Sequence, residues 1–149
     1  MLYGTEGEIP EQEYTVPLGV ADVKREGTDV TIIAYSRMVL FALEAAEELA
    51  EEGISAEVID PRTLKPLDID TIINSVKKTN RAVVVYEGYR TCGVGAEIAT
   101  LIMEKAFDYL DAPVVRVAGE DVPIPMSPVL EEAAIPSKEK IVEAVKKII

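Results

Sequence analysis

The apolar residues of this chain switch repeatedly between the two-residue spacing of a strand and the near-four-residue spacing of a helix, and that alternation restricts the fold more than any other feature. Ala21-Asp22-Val23-Lys24 and Asp29 to Tyr35 read as strands. Between them lies Arg25-Glu26-Gly27-Thr28, whose glycine suits a tight turn, so the two are expected to pair as an antiparallel hairpin. From Ser36 the spacing turns helical, with Val39, Ala42, Leu43, Ala46, Leu49 and Ala50 on one side and glutamates on the other. Ser36 is the expected N-cap and Gly53 the residue past the end. Ala56 to Asp60 reads as the next strand, and Asp68 caps a helix carrying Ile69, Ile72, Ile73 and Val76 that ends near Thr79-Asn80.

The run Arg81 to Glu87 is β-branched and unbroken, as in a strand covered on both faces. A helix through about Leu110, a strand from Pro113 to Ala118, a proline-rich rigid loop over 119–128 and a terminal helix capped by Ser137 complete the chain. That last helix carries Ile141, Val142, Val145 and Ile148. Successive strand–helix units imply a mostly parallel sheet with helices on both faces. Ligands of such sheets bind at the carboxyl ends of the strands, which singles out the loops 61–67, 87–95 and 119–128. Residues 1–17, with Gly4, Gly7, Pro10 and Pro17 and no apolar period, are expected to be an extended arm, leaving 18–149 as a single domain.

Composition removes whole classes of chemistry. No histidine is present, which excludes a Ser-His-Asp triad, a Cys-His pair and histidine-bearing zinc motifs. A single cysteine, Cys92, makes no internal disulfide and fits a reducing compartment. The longest apolar run, Met38 to Leu43, is far shorter than the ~20 residues of a membrane helix, and Met1 is followed by no basic leader. A cytoplasmic domain without a membrane partner is therefore expected. The formal charge of −12 argues against nucleic acid and is compatible with a basic protein partner. Its acidic clusters, Glu6, Glu8, Glu11 and Glu13 and then Glu44, Glu47, Glu48, Glu51 and Glu52, read first as solvated faces.

Between the buried strand and the following helix, Arg90, Gly93 and Gly95 are candidates for an anion-binding loop, with N–H groups and the helix dipole facing the anion. The same glycines read first as letting the helix approach the sheet closely. Ile98 stands where a dinucleotide fingerprint needs its third glycine, and no Gly-Lys-Ser/Thr follows for a phosphate loop. Glu87 sits where a general base would, or where a carboxylate would pair with Arg90. Arg62 and Lys65 make a modest cationic spot, and Cys92 has no histidine to activate it. Nucleophile, base and orienter do not occur together, so no catalytic, cofactor-binding or metal-binding residue is assigned.

The loop residues form a recognisable set. Asp60-Pro61-Arg62-Thr63-Leu64-Lys65-Pro66-Leu67-Asp68, Glu87-Gly88 with Gly93-Val94-Gly95-Ala96-Glu97-Ile98, Asp111 to Val117, and Asp121-Val122-Pro123-x-Pro125 with Leu130-Glu131 together resemble the transketolase-like C-terminal domain of the 2-oxoacid dehydrogenase E1 β subunit. Pyruvate dehydrogenase E1 β is nearer than the branched-chain enzyme. Leu2-Tyr3-Gly4 is similar to the link leaving the preceding domain. The resemblance implies a three-layer α/β/α domain on a five-stranded sheet with one antiparallel strand. It also implies an E1 in which thiamine diphosphate and magnesium are bound by other domains, with none held by this chain. The implied partners are the E1 α subunit, a second β subunit and the basic subunit-binding domain of the E2 component. Asp108, Asp111 and the terminal carboxylate of Ile149 are the candidates for that E2 surface, and a homodimer of the chain is compatible with it. Met126-Ser127 depart from the tyrosine and small residue usual after the second proline. Two other readings stand beside it: an independent anion- or nucleotide-binding module, and the equivalent domain of transketolase or deoxyxylulose-phosphate synthase.

Overall fold

The computed structural model describes Glu8 and residues 10–149. Glu8 and residues 10–17 are exposed and take up neither helix nor strand; the other residues of the expected arm, Leu2-Tyr3-Gly4 included, lie outside the described residues. Five strands form one sheet: β1 (Asp22–Arg25), β2 (Val30–Ala34), β3 (Ala56–Asp60), β4 (Ala82–Tyr89) and β5 (Val115–Gly119), in the order β1-β3-β2-β4-β5. β2 to β5 run parallel, and β1 lies antiparallel to β3.

The expected hairpin does not form. β3 is inserted between β1 and β2, so the antiparallel partner of β1 is β3. The segment 26–29 is instead laid across the start of β3, where the amides of Thr28 and Asp29 donate to the carbonyl of Ser55 at 3.0 and 2.9 Å. Gly27 is needed for that crossing rather than for a turn, because a Cβ there would overlap the backbone of Ala56 and Glu57.

Each strand of the parallel core sends alternate residues to opposite faces. Val30, Ile32, Val83 and Val85 pack under α1 (Met38–Glu51) and α5 (Lys138–Lys146), and Ile33, Ile59, Val84 and Tyr86 under α2 (Ile69–Thr79) and α3 (Val94–Ala106). The result is the three-layer α/β/α arrangement, and it explains why β4 reads as an unbroken apolar run: Ala82 to Tyr86 are all buried.

The helix ends follow local chemistry. Asp68 caps α2 by accepting from the Thr71 amide at 3.2 Å, and Asn80 closes it with a left-handed φ of 62°. Ser137 caps α5 through the Lys140 amide. Gly53, φ 83°, follows α1. Ser36 departs from expectation. Its φ of 58° is left-handed, and the helix starts after Arg37, with the Ser36 carbonyl accepting from the Val39 amide. The helix α3 also ends earlier than expected, at Ala106, and continues as a 3₁₀ turn, Phe107–Tyr109. A further short helix, α4 (Pro128–Ala134), is added after β5. Its seven residues are too few for a helical repeat to stand out in sequence, and Pro128 opens it with a pre-set φ.

Because β3 and β4 flank β2 on opposite sides, the winding reverses there, and the crevice of a doubly wound sheet falls at the carboxyl ends of β2 and β4.

Candidate functional site

At that carboxyl edge β4 carries two extra residues relative to β5, Glu87 and Gly88, between the pairs Tyr86–Ala118 and Tyr89–Gly119. The bulge brings Arg90 against β5. The Arg90 guanidinium donates to the Arg116 carbonyl at 2.9 Å, and the Arg116 guanidinium donates to the Arg90 carbonyl at 3.0 Å. Arg90 is thus engaged with backbone and forms no ion pair with Glu87 among the described residues. One oxygen of Glu87, Oε1, is buried without a hydrogen-bond partner among the described residues.

The candidate anion loop is one compact turn, and its glycines have a packing task. A Cβ on Gly95 would overlap the Tyr86 ring, and one on Gly93 would overlap the Tyr89 carbonyl. The absence of both side chains lets α3 begin directly over Tyr86, which is fully buried and stacks on Tyr35 with ring centroids 6.4 Å apart. Cys92 is exposed, with a left-handed φ of 59°.

The motif residues of the two neighbouring loops act as ties. Asp121 accepts from the Thr91 amide at 3.0 Å and from the Thr91 hydroxyl at 2.7 Å, joining the loop after β4 to the loop after β5. These two Thr91 donors hold the Asp121 carboxyl below the usual carboxylate range. Beside the tie lies a cleft of about 520 Å³ lined by Tyr89, Thr91, Asp121, Val122 and Pro123. After β3, Arg62 donates to Asp22 at 2.7 Å, Thr63 accepts from the Gly19 amide at 2.9 Å, and Asp68 accepts from the Ala21 amide at 2.9 Å. The cationic spot expected from Arg62 and Lys65 is therefore partly a latch that fastens residues 19–22 to the domain.

The opposite, amino edge is organised by Arg81, which the sequence reading left unassigned. Its Nε donates to the Ile148 carbonyl at 2.7 Å, and its Nη2 lies 3.6 Å from Asp111. The Asp111 amide donates to the Asn80 carbonyl at 2.9 Å, and the Asn80 side chain donates to the Tyr109 carbonyl at 2.7 Å. Arg81 and Asn80 thus draw Asp111 and the chain end at Ile149 to one corner, with Asp108 in the adjoining 3₁₀ turn. Asp108 and Asp111 are exposed, as is Ile149. The sign visible in sequence was the pairing of a capping Asn80 with an arginine at a strand start, but its partners are 30 and 67 residues away.

Deeper at this edge Glu57 is 2% exposed and pairs with Lys78, which also reaches Glu26 at 3.0 Å; the Gly27 amide donates to Glu57 as well. Burial pushes the Glu57 carboxyl up, but the Lys78, Ser75 and Gly27 donors outweigh it, and the net direction is below the ordinary value. A chain of hydroxyls, Ser75–Thr31–Thr79 at 2.6 and 2.7 Å, runs on from it through the buried layer. No three His, Cys, Asp or Glu side chains converge as metal ligands among the described residues.

Comparison with known proteins gives a consistent picture. Residues 19–141 match the family model described as the transketolase C-terminal domain. The chain is 53% identical to the mitochondrial pyruvate dehydrogenase E1 component subunit beta of Dictyostelium discoideum, over 99% of this chain and 43% of that protein. Against the corresponding Rickettsia felis subunit the identity is 53%, covering 99% of this chain and 45% of that one. The beta subunit of the Bacillus subtilis acetoin:2,6-dichlorophenolindophenol oxidoreductase is 51% identical, over 94% of this chain and 41% of that protein. A solved split gene transketolase, described as an inactive beta4 tetramer, superposes with a TM-score of 0.80 at 33% identity, covering 95% of this chain and 45% of that one. The chain spans less than half the length of these relatives.

Proposed function

The chain belongs to the transketolase C-terminal domain family, and we propose that it serves as the C-terminal, assembly-forming part of a 2-oxoacid dehydrogenase E1 β subunit, of the pyruvate dehydrogenase kind. The observation that carries this reading is identity of 51–53% to β subunits along nearly all of this chain. The transketolase likeness is closer in shape than in sequence, at 33% identity.

Thiamine diphosphate and magnesium belong to such an enzyme. The residues described here do not fit that group: no set of carboxylates converges for the metal, and the loop with Gly93 and Gly95 is filled by Tyr86. The chain alone is expected to be inactive. Its part is to hold other bodies in place. The E1 α subunit, a second β subunit and the E2 subunit-binding domain are its proposed partners. Asp108, Asp111 and the Ile149 carboxylate are the groups proposed to meet the basic E2 domain, all three residues being exposed, and such an encounter gains rate and register from opposite charge. A cytoplasmic location goes with this reading; no helix among the described residues is long and apolar enough to cross a membrane.

Mixing the purified chain with E1 α and with a separately produced cofactor-binding half of an E1 β subunit tests the reading. Thiamine diphosphate-dependent decarboxylation of pyruvate is expected only when all three are present. Turnover by the chain alone, or full turnover without it, would overturn the proposal.

A further inference from the structure

The cleft of about 520 Å³ beside the Thr91–Asp121 tie opens at the carboxyl edge of the sheet, where parallel sheets bind their ligands. Tyr89, Val122 and Pro123 give it apolar walls, and Thr91 and Asp121 are its polar pair. Asp121 is the one charged residue lining it, and its carboxylate forms no ion pair among the described residues. The guanidinium of Arg90, on the neighbouring loop, is directed to the Arg116 carbonyl instead. Thr91 donates once to each Asp121 oxygen, at 3.0 and 2.7 Å, which fixes the plane of the carboxylate and leaves each oxygen a second lone pair.

These parts select a ligand class. A fixed carboxylate with a lone pair free on each oxygen is the acceptor half of a bidentate guanidinium pair. Tyr89, 49% exposed, offers the kind of ring face on which a planar guanidinium stacks, and Val122 and Pro123 suit an aliphatic stem. An anion would meet Asp121 with no lining cation to hold it, whereas the chain's charge of −12 draws cations towards its surface. A compact ammonium would use the carboxylate but match neither the fork nor the flat ring. We propose that this cleft binds a guanidinium group on an aliphatic stem, bidentate to Asp121 and stacked on Tyr89. The site is built from this chain's own residues and does not depend on the E1 β reading.

The Thr91 amide, bonded to Asp121, is the reporter, followed by NMR titration of the full chain at constant ionic strength. Ethylguanidinium is expected to shift it saturably, ethylammonium to bind about fivefold more weakly, and tetramethylammonium, which has no N–H, to give no saturation. Asp121→Asn should weaken ethylguanidinium binding about tenfold and Tyr89→Leu about threefold, while Tyr89→Phe, which keeps the ring, and Asp108→Asn, at the other edge, should leave it unchanged. Because Asp121 also ties the loop, the two Tyr89 variants decide the matter if Asp121→Asn moves the Thr91 signal before any ligand is added. The tripeptide Gly-Arg-Gly separates the sources of the group: tighter binding than ethylguanidinium supports the site with an arginine side chain of a polypeptide as its ligand, and weaker binding supports it with a free small molecule. An equal response to all three cations, or equal affinity in wild type and Tyr89→Leu, would reduce the effect to general attraction by an acidic chain and overturn the proposal.

Discussion

A methyl group at position 95 would fall inside the ring of Tyr86, so Gly95→Ala sets two effects against each other. Alanine gains about 1 kcal/mol of helix propensity, whereas forcing volume into a packed core costs about 1–3 kcal/mol and at times more. The overlap is with a fully buried ring rather than a flexible tip, and the second effect wins; urea unfolding should show a net loss of about 2 kcal/mol. Lys78 acts by charge. Lys78→Met leaves Glu57 buried without its cation, and the loss at pH 7 is expected to be about 2 kcal/mol, short of the ~3–5 kcal/mol for a fully buried pair because Lys78 is 43% exposed and Gly27 remains. The Glu57 pKa is lowered on folding, so its contribution is present above the ordinary carboxylate value and is lost as pH falls through the folded one. The Lys78 pKa is raised, chiefly by its bond to Glu57, so its contribution is full below the ordinary lysine value and lost as pH rises through the folded one. The penalty of Lys78→Met should therefore shrink in unfolding curves taken below pH 4 or so.

Among the elements, those governed by near neighbours in sequence were legible. Asp68, Asn80, Gly53 and Ser137 mark helix ends through bonds a few residues long, and the apolar stripes of α1, α2 and α5 fall on the inward faces, with Ala50, exposed near the end of α1, the exception. The strand β1 was placed correctly but paired wrongly. A turn-like Arg25-Glu26-Gly27-Thr28 does not reveal that β3, some 30 residues on, will slot between β1 and β2. The bulge at Glu87 and the helix α4 were missed for the same reason: each is imposed by contact with β5 or its loop. Asp68 shows how an element is fastened from outside. Burial raises its carboxyl, the Ala21 and Thr71 donors together lower it by more, and the net direction is down. Asp68→Ala removes the α2 cap and the Ala21 anchor together, with an expected cost of about 1–2 kcal/mol. Hydrogen exchange should quicken at the Ala21 and Thr71 amides and not in β4. Asp121→Ala should likewise speed exchange at the Thr91 amide.

At the scale of the whole molecule, the parallel sheet sorts candidate sites by strand end. The Arg90, Gly93 and Gly95 loop was visible as a unit because its residues are adjacent in sequence. The corner of Asp111 and Ile149 was nominated from charge, and only the fold supplies the Arg81 that gathers it. On the proposed E2 reading, Arg81→Ala is expected to weaken binding of a basic E2 subunit-binding domain by loosening the chain end. Raising salt should weaken wild type and variant alike, as titrations at two ionic strengths would read. β2, β3 and β5 are five residues long, and at about 3.3 Å per residue such strands set the amino and carboxyl edges roughly 15–20 Å apart with no hinge between them. The sheet is in this sense a ruler. Changes made at one edge should therefore stay there: Arg81→Ala is expected to free the chain end at the amino edge and leave the Thr91–Asp121 tie at the carboxyl edge as it is.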